Sequence, residues 1–241
     1  MVNITEIAPD VYRLSILNGS IGLQFNHFLI KDEEPMLYHT GLRGNFSELN
    51  EAVKRLITPK DIRWIGWSHF ESDECGALNE WLAASPGAQP ICGALGATVN
   101  VNDFSNRPPR TLAPDESFST GQRRFRFIST AHVPHGWDAC VMFEETDRTL
   151  FCSDLFTHFG EVEPLTEGDI VGRARESLEN MQQSPFAYYI PYNARTSKVM
   201  TALAELNPQL LATMHGSSFR GDGAQALRDL DVVLREVLTR E

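Results

Sequence analysis

The stretch Trp67–Leu82, WSHFESDECGALNEWL, brings four groups able to bind a metal, His69, Glu71, Asp73 and Glu74, within six residues. It follows the apolar run 62–67, which reads as a buried strand, and runs into a helical pattern from Ala77 to Ala84. A polar loop has an ordinary use for such residues: Ser72 or Asp73 would cap a helix starting near Gly76, and Glu71 and Glu74 would complement its dipole. Three further residues argue for more than a cap. His135 follows FRFIST in AHVPHGWD, Asp154 ends RTLFCSD, and His215 ends LLATMHG. Each sits at the carboxyl end of an apolar strand that leads into a loop, where packed sheets deliver side chains to one rim. Six or seven donors from four strand ends suit two metal ions, with Asp154 placed to bridge them.

The flanking sequence sets the architecture. Segments 11–17, 23–31 and 35–38 read as a β-meander, separated by turn signals at Asn18-Gly19 and Asp32–Glu34. Phe46–Leu56 carries apolar residues at helical spacing, and 100–116, rich in Asn, Pro, Asp and Ser, is predicted to be loop. A second strand block covers 125–130, 139–145 and 148–154. After a loop over 156–172 come helices at 173–182 and 192–206, a strand at 210–214 and an amphipathic helix at 223–239. Meander, helices, meander, helices describe two mixed halves whose sheets pack face to face with helices outside. The expected fold class is α/β (α+β), a four-layer αββα sandwich forming a single domain over 1–241.

Composition narrows the partners. A formal charge of −11 over 241 residues, with Lys and Arg scattered, argues against nucleic acid or an anionic membrane surface. The first residues lack a leader pattern and no apolar run is long enough to span a bilayer, so a cytoplasmic location with no membrane partner is expected. Cys75, Cys92, Cys140 and Cys152 show no CxxC spacing and read as small buried hydrophobes.

With these donors in view the sequence resembles the flavodiiron proteins, the oxygen- and nitric-oxide-reducing branch of the metallo-β-lactamase superfamily. The segments that carry the likeness are the HxExD run at His69, Glu71 and Asp73, APDVYRL, NHFLIKDEEPMLYHTG, VPHGWDACVMFEETDRTLFCSDLF and the HGSS at His215. The hydrolytic relatives carry HxHxDH, and this chain has Glu71 at their second His. The resemblance implies a metallo-β-lactamase-like fold with two iron ions. One would be held by His69, Glu71 and His135, the other by Asp73, position 74 and His215, with Asp154 bridging. It departs at position 74, where the family has His and this chain has Glu74. As a ligand, Glu74 raises the carboxylates to four, which favours iron or manganese over zinc and lowers the reduction potential. Turned away, it leaves the second ion short of a donor.

The resemblance further implies binding and reduction of O2 or NO, with a homodimer as the assembly. The chain stops where the family's flavodoxin domain would begin, and it has no flavin-binding fingerprint of its own. The expectation is therefore no flavin bound by this chain, with electrons from a separate flavin or rubredoxin-type donor, or an oxygen-sensor role with a signalling protein. The alternative is a dinuclear metal-dependent hydrolase of esters, lactams or phosphoesters, using zinc. Among other residues, His39 can approach the rim from beneath, His132 reads as a support or surface residue, and His158 can line a pocket. Tyr188 or Tyr189 of the FAYYIPY stretch can donate a hydrogen bond at the site.

Overall fold

The computed structural model describes residues 1–239; residues 240–241, the end of the domain expected over 1–241, lie outside the described residues. Strands with apolar side chains on both faces need cover on both sides, and that requirement builds the layers. The first half runs β1 (Asn3–Ala8), β2 (Val11–Asn18), β3 (Leu23–Ile30), β4 (Met36–Tyr38), α1 (Phe46–Lys54), β5 (Trp64–Gly66), α2 (Ser72–Cys75), α3 (Leu78–Ala84) and β6 (Gln89–Gly93). It continues through α4 (Ala94–Gly96), a π-helical turn at Ala97–Val101, α5 (Asn102–Phe104) and β7 (Arg110–Leu112). The second half comprises β8 (Ser117–Ser119), β9 (Arg124–Ser129), β10 (Cys140–Glu144), β11 (Thr149–Phe151), β12 (Leu165–Thr166), α6 (Ile170–Met181), α7 (Thr196–Glu205), β13 (Leu210–Ala212), β14 (Ser218–Arg220) and α8 (Gly223–Leu238).

Each half contributes one seven-stranded sheet, ordered β1-β2-β3-β4-β5-β6-β7 and β12-β14-β13-β11-β10-β9-β8. Three apolar clusters define four layers. Between the sheets lie Phe28, Ile30, Met36, Tyr38, Phe125, Met142 and Phe151. Leu29, Leu37 and Ile65 pack outward beneath Leu49, Val53 and Trp81. Val141, Leu150 and Leu211 pack outward beneath Leu178, Leu203 and Leu227. This is the four-layer αββα sandwich expected from the order of elements, and the one the resemblance implies.

Two features of the sheets position the rim. β9 and β11 are both antiparallel to β10, so they share a direction, and β13 is parallel to β11. The chain therefore leaves β9, β11 and β13 at the same edge. The inward face of β3 also changes character along its length. With a period of two, Gln24, Asn26, Phe28 and Ile30 share one face. Phe28 and Ile30 fill the inter-sheet core. Gln24 and Asn26, also buried, serve the His215 loop: Gln24 Oε1 accepts at 3.1 Å from Arg13 Nη2, which also donates to Gly216 O, and Asn26 Nδ2 donates to Thr213 O.

Several segments differ from the sequence reading. The loop expected over 100–116 contains β7, an edge strand parallel to β6. Its apolar signal is limited to Leu112, while Arg110 lies over the rings of Trp64 and Phe118, a tertiary contact that no local pattern announces. β1 and β6 were likewise not anticipated. The 156–172 loop holds β12, and α6 starts earlier than expected because the Asp169 side chain caps it at Gly172 N. The helix expected from 192 starts at Thr196. Neither Ser72 nor Asp73 caps a helix: α2 begins at Ser72 with no side-chain cap, and Ala77 precedes α3.

Phe151 is fully buried between the sheets, with ring centroids 5.3 Å from Phe28 and 5.4 Å from Tyr38. Phe151→Ala should lower the unfolding free energy by about 3–5 kcal/mol, read as a fall in the denaturant midpoint at unchanged slope.

Candidate metal centre

His69, Glu71 and Asp73 leave the chain just after β5, His135 in the loop after β9, Asp154 after β11 and His215 after β13. Ser153, immediately before Asp154, is held in the left-handed region at φ 55°, an uncommon conformation for a residue with a side chain. The turn sends the next carboxylate into the space between the sheets.

The two oxygens of Asp154 face different neighbours. Its Oδ2 lies 3.3 Å from His135 Nε2 and 3.7 Å from His69 Nε2, and Glu71 Oε1 closes that set at 3.2 Å from His135 Nε2 and 3.5 Å from His69 Nε2. Its Oδ1 lies 3.3 Å from His215 Nε2, which is 3.4 Å from Asp73 Oδ2. The structure thus assembles His69, Glu71, His135 and Asp154 in one set and Asp73, His215 and Asp154 in another.

Buried polar atoms are normally hydrogen-bonded. Among the described residues, His69 Nε2, His135 Nε2 and Asp154 Oδ1 are buried and make no hydrogen bond. Nitrogen lone pairs and a carboxylate oxygen left in this state are chemically suited to a divalent cation. His69, Glu71 and His135 also lie close enough together to share one ion.

Glu74 is the candidate that does not join the second set. Its fully buried carboxylate lies on the Nδ1 side of the His69 ring, with Oε2 3.3 Å from Nδ1. That oxygen accepts from the backbone N–H of Ser68 at 3.0 Å and of His69 at 2.7 Å. Oε1 accepts from Ser68 Oγ at 2.5 Å and Ser153 Oγ at 3.3 Å. Four donors on the near side of α2 explain why the chain turns this carboxylate under the rim. His69, Glu74 and Asp154 also satisfy the spacing for one ion, but an ion there would have to displace these bonds.

The surrounding residues hold the rings in place. The His215 loop is clamped by Arg13 Nη2 and Asn26 Nδ2, which both donate to Gly216 O at 2.9 and 2.8 Å. His158 donates through Nδ1 to Phe156 O, and its Nε2 accepts from Ser217 N at 2.9 Å. Gly216 has φ 89°, and a Cβ there would meet the His158 ring at 2.4 Å, so no larger residue fits without moving the loop. Tyr189 donates to Glu71 Oε2 at 2.7 Å with its ring 4.0 Å from that of His135, whereas Tyr188 is exposed. His39 is fully buried beneath the rim, 3.1 Å from Ser68 Oγ and 3.3 Å from Asn26 O. Ser68, Ser153, Gln24, Asn26 and Arg13 were not singled out in the sequence, because a buried polar residue on or just beyond a strand has no local signature.

Electrostatics separates the histidines. Burial pushes His39 down to about 3, so it stays neutral. Burial also works against a charged His69, but Glu74, Glu71 and Asp154 override it and raise the ring to about 10. In His215, Asp154 and Asp73 overcome the same burial cost, again to about 10.

These folded-state values lie above the unfolded value near 6.5, so the ion pairs stabilise the metal-free protein fully below about 6.5. That contribution is lost as the pH rises through about 10. A metal takes the neutral ring, so ion uptake must expel protons. Affinity for a divalent ion should therefore rise with pH toward about 10. Calorimetry in buffers of different ionisation enthalpy should register net proton release near neutral pH; proton-neutral uptake would contradict the arrangement.

Known proteins share this arrangement of sheets. The rubredoxin-oxygen oxidoreductase of Megalodesulfovibrio gigas is 26% identical over 206 residues, covering 83% of this chain and 50% of that protein. The flavo-diiron protein FprA2 of Clostridium acetobutylicum is 22% identical over 236 residues, covering 92% and 58%. The chain spans about half the length of these curated relatives. The solved rubredoxin oxygen:oxidoreductase of Desulfovibrio gigas overlays with a TM-score of 0.84 at 22% identity, covering 97% of this chain and 62% of that one, which shows the common fold. A family profile described as ODP family beta lactamase matches residues 23–216. That span takes in both donor sets from His69 to His215, and the chain accordingly belongs to the ODP family of beta-lactamase-like proteins, with flavodiiron proteins among its relatives.

Proposed function

We propose that residues 1–241 form a single domain that holds two iron ions and binds and reduces O2 or NO with electrons from a separate flavin or rubredoxin-type donor. The observation that carries this reading is Asp154, whose two oxygens face two donor sets at 3.3 Å on each side. His69, Glu71 and His135 would hold one ion and Asp73 and His215 the other, with Asp154 shared. Mixed carboxylate and imidazole donors suit iron, with manganese next. Glu71 is an anion where a hydrolytic relative has a neutral imidazole, which weakens a metal as a Lewis acid and disfavours the zinc hydrolase. The Megalodesulfovibrio gigas relative is named for reduction of oxygen with rubredoxin, which supports the same reaction class.

When bound, the ions would supply redox chemistry and an open position for a diatomic ligand. The protein's part is shape and protons. A cavity of about 180 Å3 lies over Asp73, Asp154 and His215, walled by Ile21, Leu23, Phe159, Met181, Phe186 and Ile190. Such a largely apolar lining suits a small apolar molecule. Tyr189 also lines this cavity. Burial and the nearby carboxylates raise its hydroxyl, so it remains a proton donor, and its bond to Glu71 Oε2 fixes where that proton is held.

Protein purified without air should contain about two irons per chain and gain a near-ultraviolet absorption on exposure to O2. Stoichiometric zinc together with esterase or phosphodiesterase turnover would overturn the reading. Turnover with a reduced flavin or rubredoxin donor separates a reductase from a sensor, and sedimentation tests the homodimer that belongs to the same reading.

A further inference from the structure

We propose that Glu74 is the buried acceptor that orients His69 and is not a metal ligand. The second metal position is then built from Asp73, Asp154 and His215 alone, with its remaining side open to the apolar cavity. The inference rests on the dinuclear reading above and specifies how the two positions differ.

The hydrogen-bond inventory of Glu74 carries the first step. Oε2 accepts from two backbone N–H groups, those of Ser68 at 3.0 Å and His69 at 2.7 Å. A carboxylate oxygen offers about two lone-pair sites, so this one has none left for an ion. Swinging the carboxylate toward the second position would strand the backbone N–H groups of Ser68 and His69 in the interior without acceptors.

His69 supplies the second step. With Nδ1–H donated to Ser153 Oγ at 3.3 Å, whose own hydroxyl donates to Glu74 Oε1 at 3.3 Å, the ring's lone pair is on Nε2, which faces Glu71 and Asp154. An imidazole held from behind by a hydrogen-bonded partner is fixed in tautomer and made a more basic ligand, here through Ser153 to Glu74. His215 is held in the same sense by a weaker partner, the neutral carbonyl of Gln24 at 2.9 Å. The first position therefore has four protein donors and the linked Ser153 and Glu74 side chains behind one of its rings. The second has three, with a carbonyl behind its ring.

The cavity supplies the third step independently. Its lining includes Asp73, Asp154 and His215 but not His69 or His135. It opens on the second position. A small apolar molecule entering there reaches the second ion first.

The test is Mn(II) titration by calorimetry of the wild type and of Glu74→Gln, each also in two backgrounds. His215→Ala leaves only the first position competent, and His135→Ala weakens the first and leaves the second intact. Expected is uptake of two ions by the wild type, the second more weakly. Glu74→Gln should cost about 10–100-fold in the His215→Ala background. It should leave the affinity nearly unchanged in the His135→Ala background, a selectivity that general loosening of the fold would not give. A loss confined to the His135→Ala background makes Glu74 a ligand of the second ion and overturns the proposal, as does a loss in neither. Fewer than two ions in the wild type overturns the dinuclear reading itself. Should Glu74→Gln fail to fold, a crystal structure of the Mn(II)-loaded wild type decides: a Glu74 oxygen in either coordination shell overturns the proposal, and Glu74 hydrogen-bonded to the Ser68 and His69 amides and to Ser153 Oγ, with His69 Nε2 on the metal, supports it.

Discussion

The carboxylate of Asp154 has to face two donor sets at once, and that requirement constrains both sheets. Glu71 and Asp73 come from the loop after β5 in the first sheet, while His135 and His215 come from loops after β9 and β13 in the second. Asp154, His135 and His215 leave one edge of the second sheet, and only when the sheets meet face to face can Glu71 come within 3.2 Å of His135 and Asp73 within 3.4 Å of His215. Burying this many ionisable groups together is costly unless they are paired. The arrangement meets that cost by alternating imidazoles with carboxylates, so that each ring nitrogen aimed inward has an anionic oxygen beside it.

Holding such a cluster open requires a rigid surround. The rings would otherwise collapse onto the nearest carboxylates. Polar side chains that a sandwich core would ordinarily exclude are buried directly behind the rim: Arg13, Gln24, Asn26, His39, Ser68, Ser153 and His158. Arg13 and Asn26 fasten the Gly216 carbonyl, His158 fastens the Ser217 amide, and Ser68 and Ser153 share the Glu74 carboxylate with His69. The inward face of β3 shows the division of labour within a single strand, with Phe28 and Ile30 filling the core and Gln24 and Asn26 serving the rim.

Much of this was legible in the chain itself. Strands with strong apolar content, β2, β3, β10 and β11, and the long amphipathic helix α8 follow from periodicity alone, and so does the position of His69, Asp154 and His215 at strand ends. The short strands escaped because they are stabilised by neighbours and not by their own composition. β7 is held by β6 on one side and by the Arg110 contacts to Trp64 and Phe118. β12 is two residues paired to β14. The starting point of α6 depended on one capping carboxylate, Asp169, in a stretch with other polar residues able to play the part.

Sequence by itself determined which donors exist and that each stands at the end of an apolar strand, because strand and helix periods and the chemistry of His, Asp and Glu are local properties. Tertiary structure alone decided which donors meet. Glu74 is one residue from Asp73, and nothing in WSHFESDECGALNEWL says that one of them faces His215 while the other turns beneath His69. That choice was made by groups remote from the stretch or by the backbone itself: the Ser153 hydroxyl arriving from β11, and the amides of Ser68 and His69 left without strand partners beyond β5. A carboxylate goes where its donors are, and those donors come together only after the two sheets have packed.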